Sequence, residues 1–423
     1  MKKNIMFIWA CLICIVVSNG FVASTSVQAA SKTFSDIPDG HWAKSAIYQM
    51  SEKGAVSGFP DGTFRPDGVI TADQFITMMI MAHSEIYPNG KRDWQTSWWN
   101  ALDYGTQSFM VNLGFDFHLS KTGYWAQPFI NQAVSMGFLK LSDGVFNGNF
   151  KVLLTRENAS FLLAIWLNTY EPRESNGYLM LAKSGVKDYF ASSKIGQSTI
   201  LTCLIKGVMR GYPDQTFRPN RFVTRAEAIK MVQSLSDKTI RNPYKPDLTG
   251  TFHTSLTWKD GSPRIVVFQT KEFLDATVVL EKAGSQTKGV SYGNKMGQGF
   301  FANQIDLDLF ENPNFEIDWG LIDTNTAEMG ISIGDGDNNY ELTVHFNNTF
   351  QSTHKEAYDS FSQYLFGSQT AIFNEKLISI SDKYKETYPN KIEREDYIIN
   401  RRKVSLSPLL GTKRIIVYIY EQR

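Results

Sequence analysis

Cysteine is almost missing from this chain: there are three in 423 residues, and Cys11 and Cys14 fall inside an apolar N-terminal run. Residues 1–29 read as a signal peptide, with Lys2 and Lys3 ahead of Ile5 to Val17 and Val27-Gln28-Ala29 as a small-x-small cleavage site. A lipoprotein anchor on Cys11 or Cys14 is the rival, although Trp9 and Leu12 are poor neighbours for it. Cleavage near Ala29 leaves Cys203 alone, so no intramolecular disulfide can form. A secreted chain of this kind must hold itself together with an ordinary core.

An excess of charge is also missing. Without Lys2 and Lys3 the chain has 41 basic against 42 acidic residues, which excludes a general drive toward nucleic acid or anionic membrane. No later apolar run is long enough for a membrane helix, so retention on a cell would have to come from binding. The histidines His253, His345 and His354 have no zinc-type spacing, and no G-x-S-x-G elbow occurs.

What is present is an internal repeat. Gly54 to Thr71 (GAVSGFPDGTFRPDGVIT) aligns with Gly207 to Thr224 (GVMRGYPDQTFRPNRFVT), the threonine lying 17 positions after the glycine in both. A fixed repeat makes the first half of the chain one small unit used several times. In copy one, Trp42, Ala43, Ala46, Ile47 and Met50 form an apolar helical face, Gly54 suits a helix C-cap, and Gly58 with Pro60-Asp61-Gly62 supplies turn chemistry. A second helix follows Thr71, with Phe75, Ile76, Met79 and Ile80 inward. Copy two is degenerate: Trp125, Phe129, Ala133 and Val134, then Asp143-Gly144, then Thr155 with Phe161, Leu162 and Ile165. Copy three runs from Asp188 through Ile200, Cys203 and Leu204 to Ile229 and Met231. Each unit is too small to bury its stripes alone, so the copies are expected to pack together.

Thr224-Arg225-Ala226-Glu227 closes the third copy. Thr and Glu at that spacing form a capping box, which stability alone explains. Arg225 is not explained that way, because the helix dipole disfavours a cation in the first turn by some tenths of a kcal/mol. Arg156 follows Thr155 in the same position, whereas copy one has Ala72. Such an arginine, on exposed backbone amides, suits an anion-binding corner; the alternative is pairing with a local carboxylate such as Glu157.

Phe34-Ser35-Asp36-Ile37, His41-Trp42-Ala43, Gly54-Ala55-Val56-Ser57-Gly58 and the TRAE-type tetrapeptide resemble the S-layer homology family, over roughly residues 33–236 in three copies. The resemblance implies an all-α pseudo-trimeric module that binds pyruvylated secondary cell wall polysaccharide of Gram-positive bacteria without a covalent bond. It implies that Arg225 and Arg156 contact the pyruvyl carboxylate in grooves between units. Trp42 and Asp36 would belong to the first unit's groove surface, and Gly58 and Gly211 would let backbone approach the sugar. Ala72 weakens the first site. Tryptophan on a helix face is otherwise more often core than sugar platform.

Residues 30–83, 124–170 and 171–236 are thus the three repeats, 84–123 an ordered connection and 237–250 a linker. Residues 251–423 match no family in this reading and are expected to form an α+β domain. Arg264 to Phe268, Ala276 to Leu280, Tyr340 to Phe346 and Arg414 to Tyr420 read as strands, and 354–385 as helical. Asp335 to Asn339 hints at a calcium loop, but Tyr340 and Phe346 stand where such a loop needs Gly and Glu. Asp306, Asp308, Glu316 and Asp318 could offer paired carboxylates, yet strand alternation exposes such residues anyway. The expectation is a non-enzymatic, secreted surface protein with no cofactor and no metal, displaying a structural or interaction domain that could take a protein partner. The alternatives are an anchored carbohydrate- or peptidoglycan-active enzyme and a lattice subunit.

Overall fold

The computed structural model describes residues 33–102, 104–142, 144–257, 263–284, 290–294, 297–301, 327–333, 339–345, 354–390, 392–410 and 412–420. The signal peptide, Asp306, Asp308, Glu316, Asp318 and the acidic turn 335–338 lie outside the described residues.

Three helix–loop–helix pairs make up the N-terminal half. The first is α1 (Lys44–Glu52) with α2 (Ala72–Ala82). A hairpin of β1 (Ser84–Ile86) and β2 (Arg92–Trp94), then α3 (Thr96–Asn100) and α4 (Tyr104–Leu113), fills the stretch expected to be an ordered connection. The second pair is α5 (Gln127–Ser135) with α6 (Arg156–Tyr170). After the short α7 (Asn176–Leu181) comes the third pair, α8 (Lys194–Ile205) with α9 (Arg225–Ser236). The apolar stripes read from the sequence are inside: Ala46, Ile47, Met50, Phe75, Ile76, Met79, Phe129, Ala133, Leu162, Ile200, Cys203 and Ile229 are all buried in one continuous core. Val134 and Ile165 are partly buried, and two tryptophans are exceptions: Trp125 is 37% exposed, ahead of α5, and Trp42 lies further out. It is 62% exposed, ahead of α1 rather than on its buried face.

The pairs are joined where their second helices begin. The Ile70 amide donates to the Val223 carbonyl (3.1 Å), Val223 to Leu154 (2.8 Å), and Leu154 back to Ile70 (2.9 Å), a closed ring of three hydrogen bonds between buried residues. Isolated bridges Val69–Thr224, Thr71–Leu153 and Thr155–Phe222 flank it. Each helix start is thereby stitched to the loop of a different pair. The core side chains of one pair are covered by the other two.

Residues 237–250, expected to be a linker, are docked. Arg241 makes a two-pronged ion pair with Glu171 (2.8 and 2.6 Å), and the Tyr244 amide donates to the Leu204 carbonyl (2.9 Å). Burial would raise the pKa of Glu171, but the hydrogen bonds from Arg241 hold it below the ordinary carboxylate value.

Beyond lie the hairpin β3 (Phe252–Thr257) and β4 (Pro263–Phe268), then α10 (Lys271–Gly284), β5 (Val290–Asn294), β6 (Gly297–Phe301), β7 (Ala327–Ile333) and β8 (Asn339–His345). Next come α11 (Lys355–Phe366), α12 (Thr370–Thr387), β9 (Glu395–Ile399), β10 (Arg402–Leu409) and β11 (Arg414–Tyr420). Seven strands form an antiparallel sheet in the order β5-β6-β7-β8-β11-β10-β9, with α10, α11 and α12 over one face. β11 is an interior strand between β8 and β10, with Ile415, Val417 and Ile419 buried in alternation. This is the α+β domain expected, with one reversal: Ala276 to Leu280 is helical within α10. Its Val and Thr residues favour strand locally, but Phe273, Ala276, Leu280 and Ala283 recur at helical spacing and are buried against the sheet, so packing overrides propensity. The hairpin β3–β4 leans on the repeat half, where Ser175 donates to the Ile265 carbonyl (2.9 Å).

Candidate functional site between the helix pairs

The turn of copy one is built from its own residues. The Phe64 and Arg65 amides donate to the two Asp36 oxygens at 2.7 and 2.6 Å. Copy three repeats this, with Phe217 and Arg218 donating to Asp188 at 2.6 and 2.8 Å. Asp61 and Asp214 cap the same turns, and the side-chain hydrogen bonds from Thr63 and Thr216 hold both carboxyls well below the usual range. Arg65 and Arg218 adopt positive φ (59° and 57°) and lay their guanidiniums over Phe59 and Tyr212, at 3.9 and 4.0 Å from the ring centroids. Asp36, expected on the groove surface, is therefore a clamp that shapes this turn.

The two glycines also have a structural reason. A Cβ on Gly58 would meet the Phe34 ring at 2.3 Å and the Thr63 carbonyl at 2.8 Å; on Gly211 it would lie 3.1 Å from the Thr216 carbonyl. The space they leave is filled by protein atoms, from the turn itself and, at Gly58, from Phe34.

Against each such turn rests the helix start of another copy. Arg225, first residue of α9, reaches copy one: its Nη2 donates to the Ser57 carbonyl at 2.5 Å, and its guanidinium lies 4.7 Å from the Phe64 ring centroid and 5.3 Å from that of Phe59. It is half-buried, its Nε is buried with no hydrogen-bond partner, and no carboxylate pairs with it among the described residues. Burial alone lowers its pKa.

Arg156, first residue of α6, repeats the arrangement against copy three but is closed in. Its Nε donates to the Phe217 carbonyl and its Nη2 to the Arg210 carbonyl, both at 2.8 Å. It lies over Tyr212 and Phe217, has Glu227 at 4.0 Å, and is 4% exposed. The expected partner Glu157 instead caps α8 through Ser193. Arg156 is consequently a cross-brace, where an open contact was expected. At the third junction Ala72 is fully buried, and Tyr124 donates to the neighbouring Asp73 at 2.5 Å.

The backbone amides at these helix starts are not exposed, contrary to expectation. Arg225 and Ala226 donate to Gly68 and Pro66, Arg156 and Glu157 to Arg221 and Pro219, and Ala72 and Asp73 to Val152 and Phe150. The capping box of Thr224 and Glu227 takes the next donor. Anion attraction at Arg225 therefore rests on its side chain.

Trp42 stacks on His41 (5.8 Å between centroids), whereas the rings beside the Arg225 guanidinium are Phe59 and Phe64. Sequence reasoning missed the aromatic walls Phe59, Phe64, Tyr212 and Phe217. Their signal was the recurrence of [FY]-P-D-x-T-F-R-P, and in both copies an arginine from another copy lies on those rings.

Among the described residues no helix is long and apolar enough to cross a membrane. The S-layer homology domain family matches residues 33–76 and 187–229. The chain is similar to cell surface glycoprotein 1 of Acetivibrio thermocellus, 34% identical over 30% of this chain and 5% of the relative. It is similar to an S-layer protein of Bacillus licheniformis, 26% identical over 60% of this chain and 28% of the relative. It also resembles the cellulosome-anchoring protein of Acetivibrio thermocellus, 33% identical over 26% of this chain and 21% of the relative. This chain thus spans less than a third of the length of each. Residues 33–76 and 187–229 are S-layer homology domains, and the protein that carries them belongs to the cell surface.

Proposed function

We propose that the three helix pairs form one pseudo-trimeric wall-binding module, copy two being a degenerate third S-layer homology repeat. The module holds the protein without a covalent bond to a pyruvylated secondary cell wall polysaccharide. Arg225 is the principal contact, taking the pyruvyl carboxylate on guanidinium donors that the Ser57 carbonyl leaves unused. The observation that carries this reading is the Arg225 guanidinium itself: half-buried, over two aromatic rings, without a carboxylate partner among the described residues. A desolvated cation costs free energy unless an anion compensates it, and an arginine fork matches a carboxylate. Trp42, exposed beside His41, offers a flat ring to an adjoining sugar. Gly58, Gly211 and Asp36 act indirectly, by holding the turns that carry the aromatic walls. Arg156 contributes by bracing the module.

Residues 251–423 act as a non-catalytic structural or interaction domain displayed by this anchor. A buried charged cluster among its described residues, Arg402 with Glu272 (2.8 Å) and Tyr340 on Glu272 (2.7 Å), is spent on joining α10 to the sheet.

The test is sedimentation of the secreted chain with purified wall polymer, native or chemically depyruvylated. Binding to the native polymer alone, reduced about ten- to a hundredfold by Arg225→Ala, is expected from loss of charge-assisted hydrogen bonds. Equal binding to both polymers would sink the pyruvyl assignment; equal binding by Arg225→Ala would remove that residue from the site.

A further inference from the structure

The stretch between copies one and two holds a furrow that the wall-binding reading does not use. A cavity of about 1090 Å³ lies among the β1–β2 hairpin, α3 and α4, with Tyr87, Trp99 and Phe115 in its walls. A second cavity of about 380 Å³ continues it to α5, and the two share Gly114, Phe115, Asp116 and His118. Together they are large enough for several sugar rings.

Two side chains point to a ligand. Trp99 is half-buried on the larger cavity and stacks on no other ring among the described residues; its neighbours Trp94 and Trp98 are both engaged in an aromatic cluster. Gln132 lines the smaller cavity, is 5% exposed, and its amide nitrogen has no hydrogen-bond partner. An orphaned buried amide donor costs on the order of a lost hydrogen bond, and a turn about its soft terminal torsion would present it to the cavity.

The formal charges that line the furrow cancel in number, Lys91 and Arg92 against Asp93 and Asp116. Lys91 pairs with Asp93 (3.4 Å), and Arg92 donates to Ser84 and to the Lys53 carbonyl. The lining thus carries no excess of either sign. A flat apolar ring, an unsatisfied donor and a neutral polar rim together match a neutral saccharide, which has an apolar ring face and hydroxyl or acetamido acceptors at its edge. We propose that this furrow is a second saccharide site, separate from the Arg225 groove and selecting a neutral glycan segment.

The experiment titrates the secreted chain with tetra-N-acetylchitotetraose and with cellotetraose, following heat and tryptophan fluorescence. At least one should bind; Trp99→Leu, which keeps apolar bulk but loses the flat face, should abolish binding, and Gln132→Leu should weaken it about fivefold. Arg225→Ala should leave it unchanged. Circular dichroism verifies that each variant is folded, and Trp99→Phe, which retains a ring, should restore part of the affinity if Trp99→Leu unfolds. The inference is overturned if neither saccharide binds, if both tryptophan variants bind as the native chain does, or if Arg225→Ala abolishes binding. The last outcome would place the saccharide in the Arg225 groove and leave the wall-polymer reading standing.

Discussion

Arg225 donates to the carbonyl of Ser57, 168 positions earlier in the chain, and Arg156 makes the same kind of reach to Arg210 in the next copy. The two arginines hold equivalent places but differ in enclosure. Arg225 has a free Nε and a half-open face, whereas Arg156 is 4% exposed and bonded to two carbonyls.

Stability and binding should therefore separate between them. Arg156→Ala strands the buried Phe217 carbonyl and the partly buried Arg210 carbonyl and is expected to lower the unfolding free energy by about 3 kcal/mol. Arg225→Ala should cost about 1 kcal/mol while removing most polymer affinity. Thermal unfolding of each variant beside its sedimentation with wall polymer checks the split; equal destabilisation by both would contradict it.

The Asp36 and Asp188 clamps should be equivalent. Each accepts two backbone amides of a turn whose arginine has positive φ. Asp36→Ala and Asp188→Ala are each expected to cost about 2 kcal/mol, with the corresponding Asn variants losing less because one acceptor remains. Urea unfolding midpoints measure this directly. Asp36→Ala should also weaken polymer binding, since Phe59 and Phe64 sit on the turn it holds.

His83 makes the module sensitive to acid. Its ring is buried against Trp166 and Trp98, 4.3 and 5.2 Å between centroids, with Nδ1 2.7 Å from the Met79 carbonyl. Burial lowers its pKa from 6.5 to about 4. The folded value is depressed, so the unfolded chain binds the proton first as pH falls. Stability is whole above pH 6.5 and declines through the window down to about 4, by about 3 kcal/mol over the 2.5-unit shift. His83→Leu should flatten the pH dependence of the unfolding midpoint between pH 7 and 4. An unchanged slope would show that other groups carry it.

Much of the fold was legible because its causes are local. The capping box at Thr224 needs only four consecutive residues, and it forms. The stripes of α1, α2 and α9 need only a helical period, and they are buried. Trp42 was misplaced because it precedes the helix whose face it seemed to complete. Ala276 to Leu280 was misread because β-branched residues report a local preference, whereas the sheet they pack on draws in strands from as far along the chain as β11 (Arg414–Tyr420).

The sequence by itself determined the repeated unit, its turn chemistry, its caps and the odd placement of arginine after threonine, since each is written in adjacent residues and their period. Only the tertiary structure decided that Ile70, Leu154 and Val223 close a ring, that Arg156 is enclosed while Arg225 stays half open, and that the helix-start amides are already taken. Those outcomes depend on which copy's loop meets which helix. That choice is made by burying three incomplete cores against one another, and no single segment encodes it.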